Sequence, residues 1–318
     1  MKKTAYCTFL GLIITISIHA PVLAHKTDLK TDSLLKQWNI MLNSLNDSLQ
    51  IAASQKVKAI FHEYFNTTQD LHIDIPKEIK LSLLAPSDST FIILTWNIAL
   101  SSQGYYYDGL IVAKNKTDSN LSIFPLTDKS EEMRNPEMSI TNPDNWYGAL
   151  YYQLAEFKTG KDKFYVLLGW DGGNGIIQRK LIEILHFNKD YSPQFGAKIF
   201  NQSPKARIIF EYASGSYFAL RYEKQYYRKR VWYKRKPVTE RASMIVMNRL
   251  IYEPMVGANV AVGNILDAYL YADGKLVLIK DIDARNPSEK NRSSGKNPPQ
   301  QGLLPSDEES NKKPSENF

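Results

Sequence analysis

The hydrophobic pattern changes its period once along the chain. Between residues 32 and 65, Leu34, Leu35, Trp38, Met41, Leu42, Leu45, Leu49, Ala52, Ala53, Val57, Ile60, Phe61 and Tyr64 recur at spacings of three and four, the interval that lines one face of an α-helix. Asp32 or Ser33 offers an N-cap just ahead of them, and Pro76 supplies a stop. Polar residues around Asn43–Ser48 allow two helices with a break between them. The stripe is expected to pack on the rest of the domain. Its polar face lacks the basic excess that a membrane-surface helix carries.

From about residue 79 to 283 the pattern is that of strands: short runs of Tyr, Phe, Ile, Val and Leu divided by turn residues. Strands are expected at Lys80–Leu84, Thr90–Trp96, Tyr105–Ala113, Leu121–Pro125, Tyr147–Leu154 and Lys163–Gly169. Others follow at Gln178–Phe187, Ala206–Tyr212, Tyr217–Tyr222, Ser243–Asn248, Ile265–Tyr271 and Lys275–Asp281. Lys158-Thr159-Gly160-Lys161 and Ala272-Asp273-Gly274-Lys275 put glycine where a hairpin needs positive φ. Strands that succeed one another without helices between them imply antiparallel pairing. They are too many for one flat sheet. The expected fold is mainly β, antiparallel sheets forming a sandwich, barrel or curved meander, with an N-terminal helical segment. Two runs, Ile92–Asn97 and Val166–Asp171, each end a buried-looking strand in Trp followed by a short polar residue, a weak hint of a duplicated unit.

The two ends differ from this body. Lys2 and Lys3, an apolar run from Phe9 to Ile18, and Val22-Leu23-Ala24 have the order of a secretory signal peptide with Ala24 as the last residue removed. The apolar run is short for a membrane span, which takes about 20 residues, so no transmembrane segment is expected in the mature chain. The single cysteine, Cys7, lies inside that leader. The exported chain would have no disulfide, thiol nucleophile or zinc–thiolate site. Residues 284–318 are rich in Pro, Ser, Asn, Lys and Glu, a composition expected to stay disordered. The expected organisation is a signal peptide over 1–24, a helical segment over 25–78, a β domain over 79–283 and a tail.

Charge then singles out one place. The whole chain of 318 residues carries a formal charge of +7. Leu220–Arg241 alone holds nine cations against Glu223 and Glu240, which equals that excess. Tyr222, Tyr226, Tyr227, Trp232 and Tyr233 are interleaved with them. Arg228, Lys229, Arg230, Lys234, Arg235 and Lys236 are the candidate anion-binding residues, on a hairpin that would attract phosphates, sulfated sugars or acidic surfaces. The competing reading is a charged edge that prevents sheet-to-sheet aggregation. The export signal favours an anionic envelope polymer, a glycan or a partner protein over nucleic acid.

Motifs for catalysis mostly fail. Gly169–Gly175 is followed by no Gly-Lys-Ser/Thr, and an EF-hand begun at Asp171 would have glycines at its third and fifth positions. The loop reads as a tight turn. Its candidate ligand residues are Trp170 as an aromatic platform with Asp171 and Asn174 as polar contacts. Alternation in Trp146–Tyr152 would put Trp146, Gly148, Leu150 and Tyr152 on one face and Tyr147, Ala149 and Tyr151 on the other. Asp281 and Asp283 end the last strand on one side and could pair. His25, His62, His72 and His186 form no HExxH or HxH spacing, so neither a metal nor another cofactor is expected, and no catalytic residue is assigned.

The runs WYGALYYQL (Trp146–Leu154), YVLLGWDGGNG (Tyr165–Gly175), KLIEILHF (Lys180–Phe187), FGAKIF (Phe195–Phe200), RIIFEYAS (Arg207–Ser214) and DGKLVLIKDIDARN (Asp273–Asn286) resemble a group of uncharacterised exported β-rich proteins of Bacteroidota. The resemblance spans roughly residues 80–286. It implies the periplasm or cell surface of a Gram-negative bacterium and no known activity. Members of that group have a shorter connection where Glu223–Glu240 stands here, and a single Gly-Asn pair where this chain has Gly172-Gly173-Asn174. The expected function is a non-catalytic binding or scaffold protein for an anionic or glycan envelope component. The alternative is an envelope hydrolase acting on glycan or peptide through carboxylates such as Asp171, Asp281 and Asp283.

Overall fold

The computed structural model describes residues 29–115, 120–159, 162–230 and 232–282. The leader, Cys7, His25, Asp283 and the tail lie outside them. Two helices come first, α1 (Thr31–Asn43) and α2 (Asp47–Thr68). The break falls where the polar run stands. Asn46 caps α2 by accepting the Leu49 amide at 3.1 Å. Neither expected end of the helical stretch is right. Lys30 is the N-cap of α1 and supplies no side-chain capping bond, while α2 stops at Gln69 in a left-handed conformation, well before Pro76.

Among the described residues thirteen strands follow: β1 (Ser82–Leu84), β2 (Phe91–Ala99), β3 (Tyr105–Lys114), β4 (Leu121–Thr127), β5 (Leu150–Thr159), β6 (Asp162–Asp171), β7 (Ile177–Phe187), β8 (Pro193–Phe195), β9 (Ile208–Ala213), β10 (Leu220–Lys229), β11 (Val238–Glu253), β12 (Ala258–Ala272) and β13 (Lys275–Ile282). All pair antiparallel, in three sheets: β1-β2-β3-β4, then β5-β6-β7-β8 with β9 also on β7, then β10-β11-β12-β13. The protein is therefore mainly β. Each sheet is at heart an up-and-down meander, and the Trp-ending runs both lie on the second strand of theirs.

Alternation along the strands shows how the sheets stack. On β2, Ile92, Leu94, Trp96 and Ile98 pack against Leu34, Trp38, Val57 and Phe61 of the helices, while Phe91 and Ile93 join a core with Tyr165, Leu167, Leu181 and Leu185 of the middle sheet. On β7, Ile182 and Ile184 point the other way, into a core with Ile245 and Met247 of the third sheet. The order is helices, first sheet, middle sheet, third sheet. Strands covered on both faces carry near-continuous apolar runs, as Phe91–Trp96 does. The third sheet curls until its edge strands β10 and β13 touch, which buries Met244, Val246, Ala268 and Ile282 on its own concave side. Register shifts after Asn248 and between Leu266 and Ala268 accompany that curvature.

Polar bonds add to the helix contact. Trp96 Nε1 donates to Ser54 Oγ at 2.8 Å, Ser54 donates to Asp108 Oδ2 at 2.8 Å, and Lys58 closes the chain on Asp108 at 2.6 Å. Burial raises the Asp108 carboxyl above its usual range despite that lysine.

Several local expectations need correction. Trp146–Ala149 is irregular and β5 begins only at Leu150, with a register shift between Tyr151 and Gln153. Strict alternation fails there: Trp146, Tyr147, Ala149 and Tyr151 all enter one core. Tyr217 lies outside any strand, and the basic segment forms the arms of a longer β10–β11 hairpin. Asp281 has φ +59° at an irregular step of β13, and the residue expected to pair with it, Asp283, lies outside the described residues. The Asp273-Gly274 turn is a two-residue hairpin with both residues at positive φ.

Candidate functional site

The Asp171 loop is built by its own side chains. Asp171 Oδ1 accepts the Gly173 amide at 2.9 Å, and Asn174 Oδ1 accepts the amides of Ile176 at 3.2 Å and Ile177 at 3.0 Å. Gly173 stands at φ +63°, where a Cβ would fall 1.8 Å from the Ile177 carbonyl oxygen. No other residue fits without moving the turn.

Asp171 also ties three elements together. It is 6% exposed and accepts from the Tyr107 hydroxyl at 3.3 Å, the Tyr147 hydroxyl at 3.1 Å and Arg179 Nη1 at 3.2 Å. Tyr107 belongs to the first sheet, Arg179 to the middle one, and Tyr147 to the segment between β4 and β5. Burial, reinforced by the Asp171 charge, pushes both phenols up, so they stay protonated as donors. Arg179 also donates through Nε to Glu211 at 2.8 Å. Burial works against its charge, and Glu211, Tyr147 and Asp171 outweigh that, keeping it protonated. A carboxylate offers about four acceptor positions. With the Gly173 amide, all four are filled.

Around this hub lies a cleft of about 750 Å³, lined also by Tyr105, Asn174, Glu131 and Arg134. Asp171 and Asn174 therefore share a cleft. Trp170 does not share it. Alternation on β6 sends its side chain to the other face, into an open trough of about 620 Å³ with Tyr152, Tyr212, Tyr217 and Phe218. There Lys180 Nζ donates to the Phe218 carbonyl at 2.6 Å, and the Tyr152 hydroxyl to the Leu220 carbonyl at 2.8 Å. Gln178 Oε1 accepts from the Tyr212 hydroxyl at 3.2 Å. Tyr217 is 85% exposed. Tyr105 and Trp170 meet edge-to-face at 5.1 Å, so the two depressions share an aromatic wall.

The basic hairpin projects as the charge pattern suggests. Arg228, Lys229, Arg230, Lys234, Arg235 and Lys236 are all exposed, and Trp232 at the tip is 94% exposed. Pairing runs out to Lys229 opposite Val238, which holds the tip off the body. Lys229 reaches Glu240 at 3.4 Å. Among the described residues the other five form no salt bridge, and the Lys234 charge also acts on Glu240. Glu240 also accepts the Tyr227 hydroxyl at 2.9 Å, and Arg241 lies over the Tyr226 ring at 5.4 Å.

The expected carboxylate pairing does not form within the described residues. Asp171 faces the first sheet from the middle one, while Asp281 lies on the edge strand of the third, its amide donating to Asp267 at 2.8 Å. Asp283 lies outside the described residues. Sequence reasoning missed Tyr105, Tyr107, Tyr147, Arg179 and Glu211. A run of three tyrosines opening β3 was the one available signal. Among the described residues no helix is long and apolar enough to cross a membrane. No protein-family model, curated protein or solved structure matches this chain.

Proposed function

We propose that this is an exported, non-catalytic protein that holds an anionic polymer of a Gram-negative envelope through the β10–β11 finger. The observation that carries the reading is the finger itself: five exposed cations that form no salt bridge among the described residues, beside an exposed Trp232 and Tyr233. A charged edge needs lysines only along its strand. Here the charge continues around the tip, where no edge needs protecting, with aromatic rings that can stack on a ligand. The leader-like first 24 residues and the resemblance to exported proteins of Bacteroidota support the location.

The test is retention on immobilised lipopolysaccharide or heparin. Replacing Arg228, Lys229, Arg230, Lys234, Arg235 and Lys236 with Ser is expected to lower the eluting salt concentration steeply, because screened charge–charge attraction falls with ionic strength. Unchanged retention overturns the proposal.

A second reading, glycan binding, is favoured by the trough. Trp170, Tyr152 and Tyr217 offer ring faces, with Gln178 accepting the Trp170 indole N–H at 3.5 Å and Lys180 donating to the Phe218 carbonyl beside them. Trp170→Ala with Tyr217→Ala is expected to reduce co-sedimentation with purified peptidoglycan. Hydrolysis gains no such support. Asp171 has its acceptor positions filled, and Asp281 lies in another layer.

A further inference from the structure

At the end of the sheets opposite the Asp171 loop lies a third depression of about 700 Å³, within the roughly 300–1,000 Å³ range of small-molecule sites. It opens between the start of β2, the end of β3, the start of β6 and the β7–β8 turn. Its floor is aromatic. Phe91 meets Tyr165 edge-on at 4.7 Å and Phe187 at 5.1 Å. Its walls are cationic: Lys114, Lys163, Lys189 and Lys198 come from four separate stretches of chain and line the same space.

Asp88 is the lone carboxylate among the described lining residues, and it is already engaged. Lys163 binds it at 2.6 Å and Glu156 at 2.7 Å, with its ammonium 4.9 Å from the Tyr165 ring centre. Lys163 is thus neutralised. Lys114, Lys189 and Lys198 are exposed and have no carboxylate partner among the described residues. The Asp171 cleft differs: there Glu131, Glu137, Asp171 and Glu211 face Arg134 and Arg179. An apolar floor below unneutralised lysines is complementary to a molecule with an apolar body and an anionic head.

We infer that this depression binds a single-chain amphiphile with an anionic head, a fatty carboxylate or alkyl phosphate, its tail over Phe91, Tyr165 and Phe187 and its head held by Lys114, Lys189 and Lys198. The site is independent of the finger, which lies on the third sheet.

Calorimetric titration of the full chain with laurate and with dodecyl phosphate, each below its micelle-forming concentration, tests the site. One-to-one binding of either is expected, with inorganic phosphate and dodecyl maltoside binding at least about tenfold more weakly because each supplies half of the recognition. K114S/K189S/K198S is expected to weaken the amphiphile about tenfold, three partly screened contacts acting together. K114R/K189R/K198R keeps the charge and is expected to bind as the native chain does. The six-serine finger variant is expected to bind unchanged, which separates this inference from the proposed function. Native-strength binding by K114S/K189S/K198S, or loss of binding in the finger variant, overturns it. So does equal binding of dodecyl maltoside.

Discussion

Glu183 and Arg207 are both fully buried, whereas the cations of the finger stand in solvent, and the two regions use charge for opposite ends. Arg207 Nε reaches Glu183 at 2.6 Å, and three further N–H groups go to the carbonyls of Pro136 and Ser139 and to the Thr141 hydroxyl. Glu183 also accepts the Ile184 amide at 3.0 Å. Burial raises the Glu183 carboxyl, and Arg207 opposes that shift. A pair with every partner inside the protein has nothing left for a ligand. It pins the β4–β5 segment onto the middle sheet, and that segment brings Tyr147 to Asp171. The finger has few internal partners and contributes nothing comparable to the fold. Charge that is satisfied builds the molecule, and charge left unsatisfied is available to bind.

The comparison predicts a graded set of effects. Arg207→Met is expected to cost about 3–5 kcal/mol in urea unfolding, because it leaves a buried carboxylate uncompensated. Glu183→Leu together with Arg207→Met should recover only part of that, since the Pro136 and Ser139 carbonyls remain without their donor. Full recovery would mean that the ion pair, not the pinned segment, is what matters. Asp171→Asn is expected to cost about 1–3 kcal/mol, because an amide turns donors toward the donors of Tyr147 or Arg179.

Asp267 occupies the middle of the scale. Burial pushes its carboxyl up, but hydrogen bonds from Arg249 and the Asp281 amide outweigh it and hold it below the usual range. A depressed carboxyl contributes stability above its unfolded pKa of about 4 that is lost as pH falls through the folded value. Asp267→Asn is therefore expected to cost about 1 kcal/mol or less at pH 7 and to flatten the decline in melting temperature below pH 4. An unaltered acid limb would remove Asp267 from that account. The finger variant closes the scale, with stability expected within about 0.5 kcal/mol of native while retention on anionic polymer falls. A large loss of stability there would make the finger structural and end the contrast.

Much of the fold was legible in the residue pattern, because burial imposes a period that local sequence must obey. The helix break at Asn43–Ser48 and twelve of the thirteen strands could be read from spacing alone. The three-residue β8 opens on Pro193 and shows no strand pattern. The arms of the finger were read short because alternating charge hid the strand beneath. Cationic excess was legible, being a property of composition over a short stretch.

What the sequence could not supply was proximity. Asp171 and Trp170 are adjacent in the chain yet enter different depressions, because a strand turns successive side chains to opposite faces. Tyr107 and Asp171, far apart in sequence, become hydrogen-bonded because two sheets stack. Lys114, Lys163, Lys189 and Lys198 look unrelated along the chain and converge only when the strand ends meet. The sequence determined which segments would be helix, strand and charged projection, since those depend on local periodicity and composition. The tertiary structure decided which side chains share a space, since that depends on how faces buried far apart in the chain come to cover one another.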